Sequence, residues 1–446
     1  MKASSYNTFV NHDDGDVLVF NSITNSSAKL DKKTYDIYRK IASGKENRIN
    51  INDEPLLPAI KADLKKGGFL IEDDLDEISL IKVGQNFRRF SKGNYLNITI
   101  APTMDCNFDC IYCYECDKKH GIMSREVEDS IIKYVENNLK ESGGLTVTWF
   151  GGEPLLAIDT ICRLSDAFIK IAENKKANYT GTLISNGYLL SNETAIKLKN
   201  AKVDGIQITV DGAPDDHNHS RPLKNGSATF DTILQNIKEV ADSFLIGIRI
   251  NIGKSNIDSF PIFLDKLFEY GISEKVMIST AELEVYSFSN DATKDMALTK
   301  EEYAKAYVKL VDMAVERGIS IHVIERSHMI NCSAVAHDGL IIDPDGYLYK
   351  CMETTGMKSE SIGRIGEKIN PYGKSLKWLA WGSAFDSTKC KDCKVMPLCV
   401  GGCPRKYLVH DELSLTQNHC SHLKYNLPEL MKIQYKQFKL LKNKIG

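Results

Sequence analysis

From residue 96 onward, short runs of apolar, often β-branched residues recur along the chain, at 96–101, 145–150, 181–184, 205–210, 245–252 and 275–280. Helical spacing fills the gaps. Behind Ser124, a good helix cap, Val127, Ile131, Val135 and Leu139 repeat every fourth residue and mark one buried face. Strands alternating with amphipathic helices predict βαβ units and a parallel sheet, an α/β fold. Six such units predict a partial (β/α)6 TIM barrel, with its chemistry at the C-terminal ends of the strands.

The first 90 residues are patterned differently. Apolar runs at 8–10 and 17–20 flank Asn-His-Asp-Asp-Gly-Asp, which predicts a hairpin. Asp31 can cap a helix that puts Ile37, Tyr38 and Ile41 on one face and stops at Gly44. A second helix is expected at about 54–66, stopped by Gly67-Gly68. A closing hairpin is expected from 69–71 and 78–81 around an acidic turn. Hairpin, two helices and a wing make a winged-helix-like plan. After His322 the periodicity breaks up, and Gly, Pro and Cys dominate as far as Cys420. Such a segment depends on metal staples to fold. A charged helix at about 427–442 closes the chain. The expected domains are 1–90, 95–322 and 323–446.

Composition narrows the function classes. With 446 residues, 42% hydrophobic and 26% charged, the chain has an ordinary globular balance, so disordered and collagen-like classes are excluded. A formal net charge of −2 offers no bulk attraction to nucleic acid or to an anionic membrane, and neither is expected as a partner. No apolar run approaches the length of a transmembrane helix, and Met-Lys-Ala-Ser-Ser-Tyr-Asn is not a signal peptide. A cytoplasmic protein is expected. The 12 cysteines carry most of the information, because ten fall in two tightly spaced groups and only Cys116 and Cys162 stand apart. In a reducing compartment, clustered cysteines are metal ligands or redox groups more often than disulfides.

The first group follows the first barrel strand: Cys106-Asn-Phe-Asp-Cys110-Ile-Tyr112-Cys113. Three thiolates on one loop can bind three irons of a 4Fe–4S cube and leave the fourth open to a substrate or cofactor. A structural zinc site would want four ligands. These residues resemble the C-x3-C-x-aromatic-C signature of the radical S-adenosylmethionine (SAM) superfamily. The resemblance implies that the open iron chelates SAM, and that a deoxyadenosyl radical released from it abstracts a hydrogen atom from substrate. Later strand ends fit in order: Gly151-Gly152-Glu153-Pro154, then Ser185-Asn186-Gly187, then Thr209, with Arg221 beyond. By resemblance, Tyr112, Gly151, Gly152, Glu153, Ser185, Asn186, Thr209 and Arg221 hold SAM. A carboxylate and edge carbonyls suit its amino group, glycines allow close approach, and Arg221 has the fork geometry for its carboxylate. The roles of Arg249 and Asn251 stay open.

The second group reads Cys332, Cys351, Cys390, Cys393, Cys399, Cys403 and Cys420, with Gly346 between the first two. Spacing alone would also permit zinc ribbons. The pattern closely resembles the seven-cysteine SPASM extension of radical SAM enzymes. The resemblance implies two auxiliary 4Fe–4S clusters, hence three in all: Cys390, Cys393, Cys399 and Cys420 on the outer one, and Cys332, Cys351 and Cys403 on the inner one. Some relatives have an eighth Cys between the first two. Here His337 and Asp338 lie in that interval, so the inner cluster has either a harder ligand or an open iron. SPASM enzymes commonly modify peptides, and many carry a winged-helix-like domain that recognises a leader by strand addition. The expected partners are a precursor peptide and a reductant such as flavodoxin or ferredoxin. The expected reaction is a cross-link within that peptide, a Cys thioether first, with carbon–carbon or carbon–oxygen bonds as the alternative. Sulfatase-maturing relatives place an Asp base directly after the second SPASM cysteine. Here Met352 stands there and Glu353 follows, a candidate acid/base.

Overall fold

The computed structural model describes residues 1–91, 93–115, 121–286, 289, 291–324, 332–368, 370, 373–409 and 419–445. The chain opens with β1 (Lys2–Ala3), then β2 (Asn7–Asn11), β3 (Val17–Asn21) and β4 (Ser26–Leu30), the last three an antiparallel sheet. Val17 to Phe20 are buried throughout, as the hairpin pattern required. β4 went unread because Ser-Ser-Ala-Lys-Leu carries almost no apolar alternation. Asp31 caps α1 (Lys32–Ala42) by accepting the N–H of Thr34, and Ile37, Tyr38 and Ile41 form its buried face. α2 (Leu57–Lys66) follows.

The expected wing is not there. β5 (Leu70–Ile71) pairs antiparallel with β1, and residues 78–81 lie inside a helix, α3 (Glu77–Phe90). Asp76 decides this: its carboxylate accepts the N–H groups of Ile78 and Ser79, both at 3.1 Å, and starts a helix where a short apolar run was ambiguous. α3 is inverted for a surface helix. It buries Glu77, Gln85 and Arg89 and exposes Leu80, Val83, Phe87 and Phe90.

β6 (Tyr95–Ile100), β7 (Gly144–Trp149), β8 (Asn178–Ser185), β9 (Val203–Thr209), β10 (Leu245–Ile252) and β11 (Val276–Glu282) follow, each parallel to its neighbours, with a register shift at Gly181/Thr182 between β8 and β9. Helices 125–138, 158–174, 192–200, 230–240 and 260–269 link them in turn. This is a mixed α/β fold built on a parallel sheet. β12 (Ser320–Ile321) extends it beyond β11. β13 (Leu340–Ile342) joins β6 in parallel on the other side, and β14 (Tyr347–Tyr349) and β15 (Gly363–Arg364) continue antiparallel.

The strands alternate in burial. In β10, Ile246, Ile248, Ile250 and Ile252 are buried, whereas Arg249 and Asn251 are only half-buried. The apolar side meets the helices. The other side carries polar groups, as in the 3.0 Å hydrogen bond between the hydroxyls of Thr148 and Thr182. A parallel sheet covered by helices on both faces would read as unbroken apolar runs. This one keeps a polar face for chemistry. The chain ends in a helix, Leu423–Ile445, that reaches back to β2 and β3; from β4 the Ser27 hydroxyl donates to Gln434 Oε1 at 2.7 Å. Among the described residues no helix is long and apolar enough to cross a membrane.

Candidate active site

The loop after β6 carries Cys106, Cys110 and Cys113, and it lies along residues 220–224. Asp109 N–H donates to the Pro222 carbonyl at 2.9 Å, Ile111 N–H to that of Ser220 at 3.1 Å, and Lys224 N–H to that of Asn107 at 3.0 Å. The sulfurs of Cys106 and Cys113 accept the N–H groups of Phe108 and Glu115, both at 3.4 Å. Burial raises the pKa of the Cys106 thiol and pushes Cys110 up to about 12. Such thiols ionise when a metal replaces the proton, so the donor set fits a metal cluster. Among the described residues no three His, Cys, Asp or Glu side chains converge as ligands of one ion. In a cube each thiolate takes its own iron.

The Gly-Gly turn closes on this loop. Gly151 has φ of +131°, and a Cβ on Gly152 would lie 2.4 Å from the Asp105 carbonyl oxygen and 2.5 Å from that of Met104. The glycines are therefore required by the cysteine loop's own backbone. Glu153 turns inward. Fully buried, its carboxylate accepts Leu155 N–H at 3.0 Å, Asn186 N–H at 2.7 Å and the Ser185 hydroxyl at 2.9 Å, so it ties the end of β7 to the end of β8. Burial pushes its pKa up to about 6. The Asn186 amide donates to Asn107 at 2.8 Å and lies 3.9 Å from the Cys106 sulfur.

Tyr112 is the hub of a network that joins three strand ends. Its hydroxyl donates to Asp211 and accepts from Arg221 Nη1 at 2.8 Å and from the Asn251 amide at 3.2 Å. Asn251 N–H donates to Asp211 at 2.9 Å, and Arg249 Nε to the Asn251 side-chain oxygen at 3.2 Å. Arg249 and Asn251 thus belong to the same site. Arg221 is buried over the Phe108 ring, and its Nε has no hydrogen-bond partner among the described residues. A buried donor left over beside the cysteine loop fits an anionic ligand group. Thr209 is half-buried at the end of β9, in register with Arg249. His217 escaped the sequence reading. Its Nδ1 accepts Asp211 N–H at 3.1 Å, so Nε2 holds the proton and faces the Thr229 hydroxyl, which donates to the Arg221 carbonyl at 2.8 Å. Burial holds its pKa well below the usual range.

Pairing of β13 with β6 brings the second cysteine region alongside. Cys351 follows β14 and lies within electrostatic reach of Cys403 and Cys332, while Cys399 is within reach of Cys420 and Cys393. Tyr407 lies close to Cys420, Cys390, Cys399 and Cys403. Backbone N–H groups face the sulfurs here too: Ala334 at Cys332, Glu353 at Cys351, Gly401 and Ser421 at Cys399, Arg405 and Lys406 at Cys403. Cys162 sits on the helix 158–174, beside Asp159 and Asp166. Cys116 lies outside the described residues. Met352 packs against Phe150 and Tyr114 at the end of the parallel strands. Glu353 pairs with Arg405 Nε at 3.1 Å, and the Arg405 guanidinium sits 4.8 Å over the Tyr286 ring. Burial raises the Glu353 pKa, with Arg405 opposing. Tyr286 in turn lies 5.8 Å from the Tyr114 ring, next to Cys113.

Residues 100–267 match the Radical SAM superfamily. The chain therefore carries a radical SAM domain and is an enzyme. SAM and a 4Fe–4S cluster belong to that chemistry. The enzyme is 22% identical over 454 residues to the radical SAM cyclopropyl synthase TigE of Paramaledivibacter caminithermalis, covering 91% of this chain and 90% of that protein. It is 23% identical to a cysteine-type anaerobic sulfatase-maturating enzyme of Clostridium novyi, over 70% of this chain and 88% of that one. It shares its fold with native anSMEcpe, solved with bound AdoMet and a peptide, at a TM-score of 0.60 and 20% identity, over 78% of this chain and 99% of the other. The enzyme is thus related to peptide maturases and sulfatase maturases.

Proposed function

We propose that this radical SAM enzyme matures a ribosomally made precursor peptide by joining a cysteine sulfur to a carbon of another residue. In this reading residues 1–90 are a unit that recognises a leader, 95–322 a partial barrel, and 323–446 a SPASM domain with two auxiliary clusters, in a cytoplasmic enzyme fed electrons by a flavodoxin or ferredoxin. The observation that carries it is the mutual proximity of Cys332, Cys351 and Cys403, in a region whose β13 pairs with the strand that leads into Cys106, Cys110 and Cys113. Three thiolates leave one iron of a cube without a protein thiolate, and a substrate thiol is the soft ligand that fits there.

When bound, SAM and its cluster would supply the radical chemistry that takes one hydrogen atom from a substrate carbon, and an auxiliary cluster held by Cys332, Cys351 and Cys403 would take up the remaining electron. The rest falls to side chains. Arg221, oriented by Tyr112, holds the SAM carboxylate through its leftover donor. Glu153, Ser185 and Asn186 fix the Gly151-Gly152 turn against the cysteine loop. Glu353, between Arg405 and the cysteine trio, takes the thiol proton.

The test is co-expression with small cysteine-containing peptides encoded beside the gene, followed by mass spectrometry. A loss of two hydrogens with one cysteine inert to alkylation is expected. The likeness to a cyclopropyl synthase along 91% of the chain favours a second reading, carbon–carbon ring closure. It predicts the same mass loss with every cysteine still alkylatable.

A further inference from the structure

α3 connects the N-terminal sheet to β6, and its buried side is the polar one. At its start Glu77 accepts Ser5 N–H at 2.8 Å, and the Ser5 carbonyl in turn accepts Lys394 Nζ at 2.6 Å. One turn on, Ile81 packs with Tyr6 in the cluster that includes Cys390 and Cys393. At its end Arg89, 5% exposed, donates Nε to the Val335 carbonyl at 3.2 Å and Nη2 to the Leu379 carbonyl at 2.6 Å. The Arg89 carbonyl accepts His337 N–H at 2.8 Å. The helix thus touches both cysteine sets of the C-terminal region.

Val335 is the link. Its N–H donates to the Cys332 carbonyl at 3.2 Å, and its own carbonyl accepts from the guanidinium. A buried guanidinium needs its donors met, and here the Val335 and Leu379 carbonyls meet two of them. An arginine suits the task because its planar fork spans acceptors from two chain segments, residues 335 and 379, which a lysine ammonium on one flexible stem does not fix together. The inverted amphipathicity of α3 follows: its polar positions are spent on anchorage, and its apolar ones are left outside.

We infer that Arg89 is a positioning residue of the inner cysteine set, so that the helix leaving the N-terminal unit fixes the loop that presents Cys332. The cysteine pattern locates the auxiliary site wholly within 323–446; this contact makes a residue from far upstream part of it. Motion of the N-terminal unit on binding a peptide would then reach the inner site through one rigid helix of roughly 20 Å. The inference rests on the reading that Cys332, Cys351 and Cys403 hold a cluster, but the clamp can be tested apart from it.

The experiment compares full-length wild type, Arg89→Met, Arg89→Lys and, as an exposed control, Arg88→Met. Each is followed by hydrogen exchange without iron, and by iron content and electron paramagnetic resonance after anaerobic reconstitution. Arg89→Met is expected to speed exchange at residues 332–340 at least about tenfold. It should also lower iron from about 12 to about 8 per chain, leaving the signal of the SAM-binding cluster. Arg89→Lys should fall between, and Arg88→Met should match wild type. Unchanged exchange and iron in Arg89→Met would overturn the inference. If Arg89→Met loses protection in the parallel sheet as well, Arg89→Lys decides: loosening confined to 332–340 supports the clamp, and no change overturns it. Wild type holding only about four irons would remove the auxiliary-cluster reading; faster exchange in Arg89→Met would still support the clamp, and unchanged exchange would still sink it.

Discussion

The two cysteine regions are built on opposite principles. The loop of Cys106, Cys110 and Cys113 is gripped by finished structure: β6 before it, residues 220–224 along it, the Gly151-Gly152 turn pressed on its backbone and Tyr112 tied to two further strand ends. Between Cys332 and Cys420 the described strands have two or three residues and the α-helices four or five, such as Met396–Cys399 and Pro404–Leu408. Its cysteine sulfurs sit among backbone N–H groups of their own turns. The first site is organised by the fold and would keep its shape without iron. The second has little regular structure apart from what its thiols would bind.

The sharpest way to break this contrast is to remove thiols. Replacing Cys106, Cys110 and Cys113 by Ala is expected to abolish SAM cleavage while leaving the absorbance of the proposed auxiliary clusters; chromatographic detection of deoxyadenosine from that variant would place the radical site elsewhere. Next comes metal removal. Hydrogen exchange on iron-free against reconstituted protein should differ by roughly a hundredfold over 332–409 and by less than about threefold in β6 to β11. Equal protection in the two regions would mean that both are organised by the fold.

A smaller effect probes the grip on the first loop. Gly152→Ala forces a Cβ against two carbonyl oxygens and should cost about 2–3 kcal/mol in denaturant unfolding, whereas Gly247→Ala, with open space around the new methyl, should stay within about 0.5 kcal/mol. The smallest effect is in pH. Glu153 is raised by burial from 4.5 to about 6, so the folded chain binds more protons than the unfolded one between those values. Its contribution to stability should therefore be full below pH 4.5 and be lost as pH rises through about 6, by roughly 2 kcal/mol. Glu153→Gln should flatten that part of the melting-temperature profile of iron-free protein; an unchanged slope would show that Glu153 is not its source.

Much of the architecture could be read before any coordinates. The six parallel strands fall where the apolar runs stand, because alternation against a helix layer is a local pattern. Helix 125–138 starts at Ser124 for an equally local reason, a hydroxyl that accepts the N–H of Val127. Where local signals were weak, the reading failed. Residues 78–81 look like a strand until the Asp76 cap is weighed, and Ser26–Leu30 pairs only because β3 offers it an edge. At the site, Glu153 was expected to face SAM, and its visible partners are Ser185, Leu155 and Asn186. Asp211, His217 and Thr229 gave no signal at all, being single polar residues without a spacing.

By itself the sequence determined the strand–helix alternation, the two cysteine spacings and the order of the motifs at the strand ends, because each is written within a few neighbouring residues. Only the tertiary structure decided that Arg221 meets Tyr112, 109 residues earlier, and that Arg89 meets Val335, 246 residues later. A buried donor needs some acceptor, and many along the chain would serve. Which one it finds is fixed by how the sheet, the helices and the cysteine loops pack, and no spacing in the sequence records that choice.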